Sequence, residues 1–113
     1  MIVAVPYDAG HIFQHFGKAK EFKFYTIQGS HIISSQISAT AGAGHGAVIA
    51  FLQAHGTTEV ICGGIGAGAQ QGLQAAHIVL HAGITMAADE AVTALLQGTL
   101  TDGIASCLSL IHI

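Results

Sequence analysis

Two alternating apolar segments joined by a two-residue turn, followed by strands that break into glycines and restart as helices, restrict this chain more than any other feature. Phe22–Gln28 puts Phe22 and Phe24 on one face and Tyr25 and Ile27 on the other, the period of a strand covered on both sides. Gly29-Ser30 fits a tight hairpin turn, and His31–Ser38 returns with Ile33 and Ile37 in phase. Ahead of the hairpin, Ile2–Val5 is a short apolar run closed by Pro6 and suits a buried central strand.

Beyond the hairpin the period changes. Ala47–His55 carries Val48, Phe51, Leu52 and His55 at helical spacing and stops at Gly56. Glu59–Gly63 reads as a strand, Gly68–Ala76 as a helix and Ile78–His81 as a short last strand. Asp89 can cap or charge a third helix that carries Val92, Leu95 and Leu96 and ends at Gly98. Leu100–Ile113 shows no clear period, and there is no internal repeat or linker. This order predicts a single three-layer α/β/α domain with right-handed crossovers. Its mixed five-stranded sheet would run 3-2-1-4-5 with strand 2 antiparallel, the ribonuclease-H-like motif.

Composition removes several functions. The 113 residues hold three lysines, no arginine and eight histidines at a net charge of −3. Nucleic-acid binding and a polybasic membrane patch both need many more cations. No apolar run reaches the ~18 residues of a membrane span, and no signal peptide is visible, so a cytoplasmic protein with reduced Cys62 and Cys107 is expected. A two-metal nuclease would need clustered carboxylates. Asp8 falls at one sheet edge and Glu59 at the other, with Glu21, Asp89, Glu90 and Asp102 elsewhere. A buried Cys62 thiol with no basic neighbour would be inert. The chain is not expected to be an enzyme.

The expected strand directions sort the histidines. Segments leaving strand carboxyl ends (Tyr7–Lys20, Ala39–Gly46, Gly64–Gly68 and Ala82–Ala87) open at one edge, where open α/β sheets bind ligands. His11, His15 and His45 lie in them, and Cys62 and His81 just before two of them. His31, His55 and His77 fall at the opposite edge or on helix ends. Imidazole and thiolate suit iron, zinc, copper and iron–sulfur centres, so His15, His45 and His11 are candidate ligands, while Cys62 and His81 are read as structural. A lone loop histidine is more often merely solvated or hydrogen-bonded, and the case rests on convergence. "GGIGAGAQ" matches the dinucleotide fingerprint only formally, because no acidic residue ends the next strand. Its glycines permit a tight turn and expose amide groups to an anion. Gly64 or Gly66 is expected to adopt a backbone that a β-carbon would strain, so that Gly66→Val would damage folding or uptake.

"MIVAVPYDAG", "HFGKAKEFKFY", "GHGAVIAFLQAHG" and "VICGGIGAGAQQGL", with "ADEAVTALLQGTL", cover about residues 1–100. In these stretches the chain resembles the dinitrogenase iron–molybdenum cofactor biosynthesis family, which includes the nitrogenase accessory proteins NifX and NifY. The resemblance implies a ribonuclease-H-like fold without nuclease activity and a non-catalytic binder or carrier of an iron–molybdenum or iron–sulfur cluster. A cluster-assembly or acceptor protein would be its partner. His15 corresponds to the family's His-Phe-Gly histidine. Cys107 corresponds to the cysteine that ends stand-alone members, although residues 101–113 lack their histidine-rich tail and leave only His112. The rival reading is a structural or regulatory module that binds a protein at the same edge.

Overall fold

The computed structural model describes residues 1–40 and 45–98. Strands β1 (Ile2–Asp8), β2 (His11–Ile12), β3 (Glu21–Gln28) and β4 (His31–Ala39) precede helix α1 (His45–Ala54). Strand β5 (Glu59–Ile61), helix α2 (Ala67–Ala75), strand β6 (Val79–His81) and helix α3 (Ala88–Gln97) follow. The sheet is mixed and runs β4-β3-β1-β5-β6, with the short β2 folded onto the end of β1. β3 is antiparallel to β1 and β4, whereas β5 is parallel to β1 and to β6. The hairpin turns at Gly29, whose φ of +63° is the left-handed geometry a tight two-residue turn demands.

Strand alternation builds two cores. Ala4, Phe22, Phe24, Val60 and Cys62 face α1 and α2 and bury Val48, Leu52, Ala69 and Leu73. Val3, Val5, Tyr25, Ile27 and Ile61 face α3 and bury Ala88, Ala91 and Val92. Each fully buried Leu or Val contributes about 1.5–3 kcal/mol of transfer free energy. The phase assigned to Phe22, Phe24, Tyr25 and Ile27 is therefore the phase that holds the helices.

The structure departs from or refines three local expectations. β1 does not stop before Pro6, which pairs with Phe22. The Pro6 carbonyl accepts from Phe13 N–H, so its missing donor faces a side where pairing with β5 has already ended. His11–Ile12 is a strand and no longer part of a plain loop. Ile33 and Ile37 of β4 are exposed. Of the two roles open to Asp89, capping falls to Ala87, and Asp89 charges the first turn of α3 together with Glu90. Asp89 also accepts hydrogen bonds from the buried Tyr25 hydroxyl and from Lys23 Nζ (2.9 Å), fastening the helix to β3.

That fastening has an acid limit. The Tyr25 and Lys23 bonds hold the Asp89 carboxyl below its ordinary range, and burial with the same bond pushes the Tyr25 hydroxyl up. A carboxylate depressed on folding stabilises above its unfolded value near ~3.9 and loses that contribution as pH falls through the folded value. Asp89→Asn should flatten the dependence of Tm on pH below about pH 5. It should cost at most about 1 kcal/mol at neutral pH, since Asp89 is exposed and its pairing screened. Thermal melts at a series of pH values check both.

No helix among the described residues is long and apolar enough to cross a membrane.

Candidate functional site

The chain leaves β1 through Ala9 and Gly10, both with positive φ, and turns back as β2. It then crosses to the far side of the sheet's carboxyl edge, held there by backbone bonds. Gly64 N–H donates to the Gln14 carbonyl (2.9 Å), and Phe16 N–H donates to the Gly64 carbonyl (3.1 Å). His15 thus forms a parallel bridge with Gly64. On its N-terminal side the Gln14 amide donates to the Ile12 and Ile84 carbonyls. On its C-terminal side Phe16 is buried in the first core and opens a 3-10 turn through Lys18. A buried Phe, a bonded Gln and a paired backbone leave the His15 side chain exposed between them.

The exposed side chain lines a cavity of about 350 Å³ with Phe16, Lys18, Gly64, Ile65 and Gly66. Gly66 is the N-cap of α2 and supplies no side chain to its first turn, so the helix presents amide groups to the cavity. The helix dipole and those donors favour an anion here. Lys18 adds a full positive charge. A second cavity of about 470 Å³ is lined by Tyr7, Asp8, Phe13, Lys20 and Glu21. Phe13 meets the His15 ring edge-on at 6.0 Å. The mixed charges of that second lining select neither sign.

Gly64 and Gly66 behave differently from each other. A β-carbon on Gly64 would lie 2.6 Å from the Gln14 carbonyl oxygen, whereas one on Gly66 would meet nothing within 4 Å. Gly66 has φ −76° and ψ 161°, ordinary extended backbone. Neither shows positive φ. The expected strain is a close approach at Gly64, and the open space at Gly66 removes the steric ground for expecting Gly66→Val to damage folding.

Of the other candidates, His11 is exposed on β2 and bridges Ala87 instead of lining the His15 cavity. His45 is the first residue of α1, and its side chain lies outside the description. Its expected approach to His15 is therefore untested, as is any role of Cys107, which lies outside the described residues. Cys62 is fully buried and its N–H donates to the His81 carbonyl. His81 Nε2 stands 3.6 Å from a Glu59 carboxylate oxygen on the neighbouring strand. His55 stacks on Phe24 at 4.3 Å and its Nδ1 bonds the Phe51 carbonyl, packing at the opposite edge. Among the described residues no three His, Cys, Asp or Glu side chains converge as a metal site. Gln14, Lys18 and Ile65 are the site residues that sequence reasoning passed over. Lys18 alone carried a signal, as one of three cations clustered beside His15.

Solved structures share this architecture. The protein PH0822 superposes with a TM-score of 0.85 at 24% identity, covering 91% of this chain and 95% of that one. The apo form of the orange protein from Desulfovibrio gigas gives 0.75 at 22% identity, covering 90% and 92%. At these identities the likeness establishes the fold. Among curated proteins none matches the chain. A family model described as dinitrogenase iron–molybdenum cofactor matches residues 1–98, and the chain belongs to that family.

Proposed function

We propose that this protein binds an anionic metal–sulfur cluster of the iron–molybdenum or iron–sulfur type and carries it to an acceptor protein without transforming it. The observation that supports this most directly is the His15–Gly64 bridge, which holds an exposed imidazole beside the open N-terminus of α2. The donor set fits a cargo better than a resident ion. A metal ion held by protein alone asks for several convergent side chains, but a cluster arrives with its own sulfur ligands. It needs one or two protein donors, amide groups for its sulfurs and a cation for its charge. His15, the α2 amides and Lys18 offer these. His11, His45 and Cys107 are the further ligands to be tried, and family membership supports the cargo class.

The same reading makes the protein non-catalytic, with the sheet as a ribonuclease-H-like scaffold lacking the carboxylates of the nucleases. It also places the chain in the reducing cytoplasm, where Cys62 remains a thiol. The rival, a protein-binding module without metal, gains no specific support from the cavity.

Purification without oxygen, followed by incubation with a preformed iron–sulfur cluster, tests the proposal. Bound protein should elute coloured, with iron and sulfide near one cluster per chain. A colourless, metal-free protein under those conditions would sink the carrier reading.

A further inference from the structure

β4 is an edge strand without the charged or proline residues that usually protect one. Natural edges are usually blunted by lysine, proline or shortness. His31–Ala39 is nine residues long and contains no Asp, Glu, Lys, Arg or Pro. Among the described residues it pairs only with β3. Thr40 N–H donates to the Lys20 carbonyl. Hydrogen-bonded and non-hydrogen-bonded pairs alternate along an antiparallel ladder. Ser34, Gln36 and Ser38 therefore turn their backbone groups toward β3, and Ser35, Ile37 and Ala39 turn theirs toward the open edge.

Two of the apolar side chains, Ile32 and Ile37, share one face. The register slips between Thr26 and Ile27, where Ser34 pairs with Thr26, Ile32 pairs with Ile27, and Ile33 is the extra residue between them. Ile27 faces α3, as does Lys23, which opposes Ile37 and bonds Asp89 of that helix. Ile32, Ile33 and Ile37 are 39%, 57% and 46% exposed.

We infer that β4 pairs with β4 of a second copy of this chain, antiparallel and two-fold about Ser35, joining the two sheets into one. Three arguments favour a second copy over another occupant. The segment is self-complementary: pairing about Ser35 sets Ile33 against the partner's Ile37, Ile37 against the partner's Ile33, and Ser34 against the partner's Gln36. Without Asp, Glu, Lys or Arg, the strand opposes no like charges and offers nothing to a charged partner. A two-fold pairing also consumes the open edge of both copies and closes.

The strand is roughly 30 Å long, so the contact sits at the small end of specific interfaces. Association should be weak, on the order of tens of micromolar. The two sheets would run in opposite directions, and their His15 cavities would open at opposite ends of the dimer. Neither would obstruct the other.

Sedimentation of the full chain from about 5 to about 500 µM should show a reversible monomer–dimer equilibrium. Ile37→Lys, an exposed change, should remain folded by circular dichroism and stay monomeric throughout. In a Cys107→Ser background, Ser35→Cys should form a disulfide-linked dimer on mild oxidation. Ser38→Cys should not, because two-fold pairing about Ser35 sets its copies roughly 20 Å apart. Any of three results would overturn the inference: a wild-type monomer at the highest concentration, which would leave the face to another occupant such as residues 99–113; a dimer that survives Ile37→Lys; or equal cross-linking at both positions.

Discussion

Gly64→Val is expected to lower Tm by roughly 10–20 °C and abolish cluster uptake, while Gly66→Val should melt like the wild type. The difference follows from what each added carbon would touch. At Gly64 it would lie 2.6 Å from the Gln14 carbonyl oxygen, a backbone atom that cannot rotate away. Relief requires the two backbones to separate, which breaks the Gly64-to-Gln14 and Phe16-to-Gly64 bonds. Overpacking costs about 1–3 kcal/mol and each lost bond about 1 kcal/mol. The sum is a large share of the ~5–15 kcal/mol that holds a domain together, and each kcal/mol is worth roughly 4 °C at this size. At Gly66 the space is open and the backbone ordinary. Thermal melts of the two variants decide it. Equal melting would mean that the contact at Gly64 relaxes freely and has no structural weight.

His15→Ala is expected to cost more than the roughly 10–100-fold that removing an outer-shell partner costs in cluster affinity, with little change in Tm. The ring is exposed, and its neighbours are held by backbone bonds that alanine keeps. His55→Ala is the matched control. It removes an imidazole that stacks on Phe24 at the opposite edge, so stability should fall while affinity does not. Anaerobic titration of a preformed iron–sulfur cluster into wild type and both variants gives the comparison. The same titration with His11→Ala, His45→Ala and Cys107→Ser ranks the remaining candidate ligands. Because neutral imidazole is the ligating form, wild-type affinity should also weaken on acidification. Equal binding by wild type and His15→Ala would return this histidine to a plain surface role.

Legibility in the sequence followed the range of the cause. The faces of β3 were readable because Phe22, Phe24, Tyr25 and Ile27 alternate within one segment, and the ends of α1 and α3 because Gly56 and Gly98 stop them. The concentration of His15 and the glycine turn at one edge followed from strand direction alone. What stayed hidden depends on residues far apart in the chain. Gly64 is crowded by Gln14, fifty positions earlier, and nothing near Gly64 signals it. Pro6 continues a strand because the neighbouring strand has already ended there, a matter of sheet register. β2 is two residues long and has no period to detect. Asp89 looked like a helix cap because caps are local, whereas its partners Tyr25 and Lys23 lie on another element. The phase of Ile37 in β4 was likewise legible, but alternation reveals which face a side chain takes, not whether anything covers that face.

The splice of Gln14–Phe16 into the glycine turn has a consequence for how a carrier would let go. A ligand mounted on a free loop can release its load by swinging aside, at a rate set by the loop itself. His15 has no such hinge: backbone bonds hold its neighbours on both sides, and Phe16 anchors it in the core. A load held there would leave by substitution at the metal, with the incoming donor forming its bond as the imidazole gives way. The acceptor would then be a reactant in unloading, and its absence would keep the cargo in place.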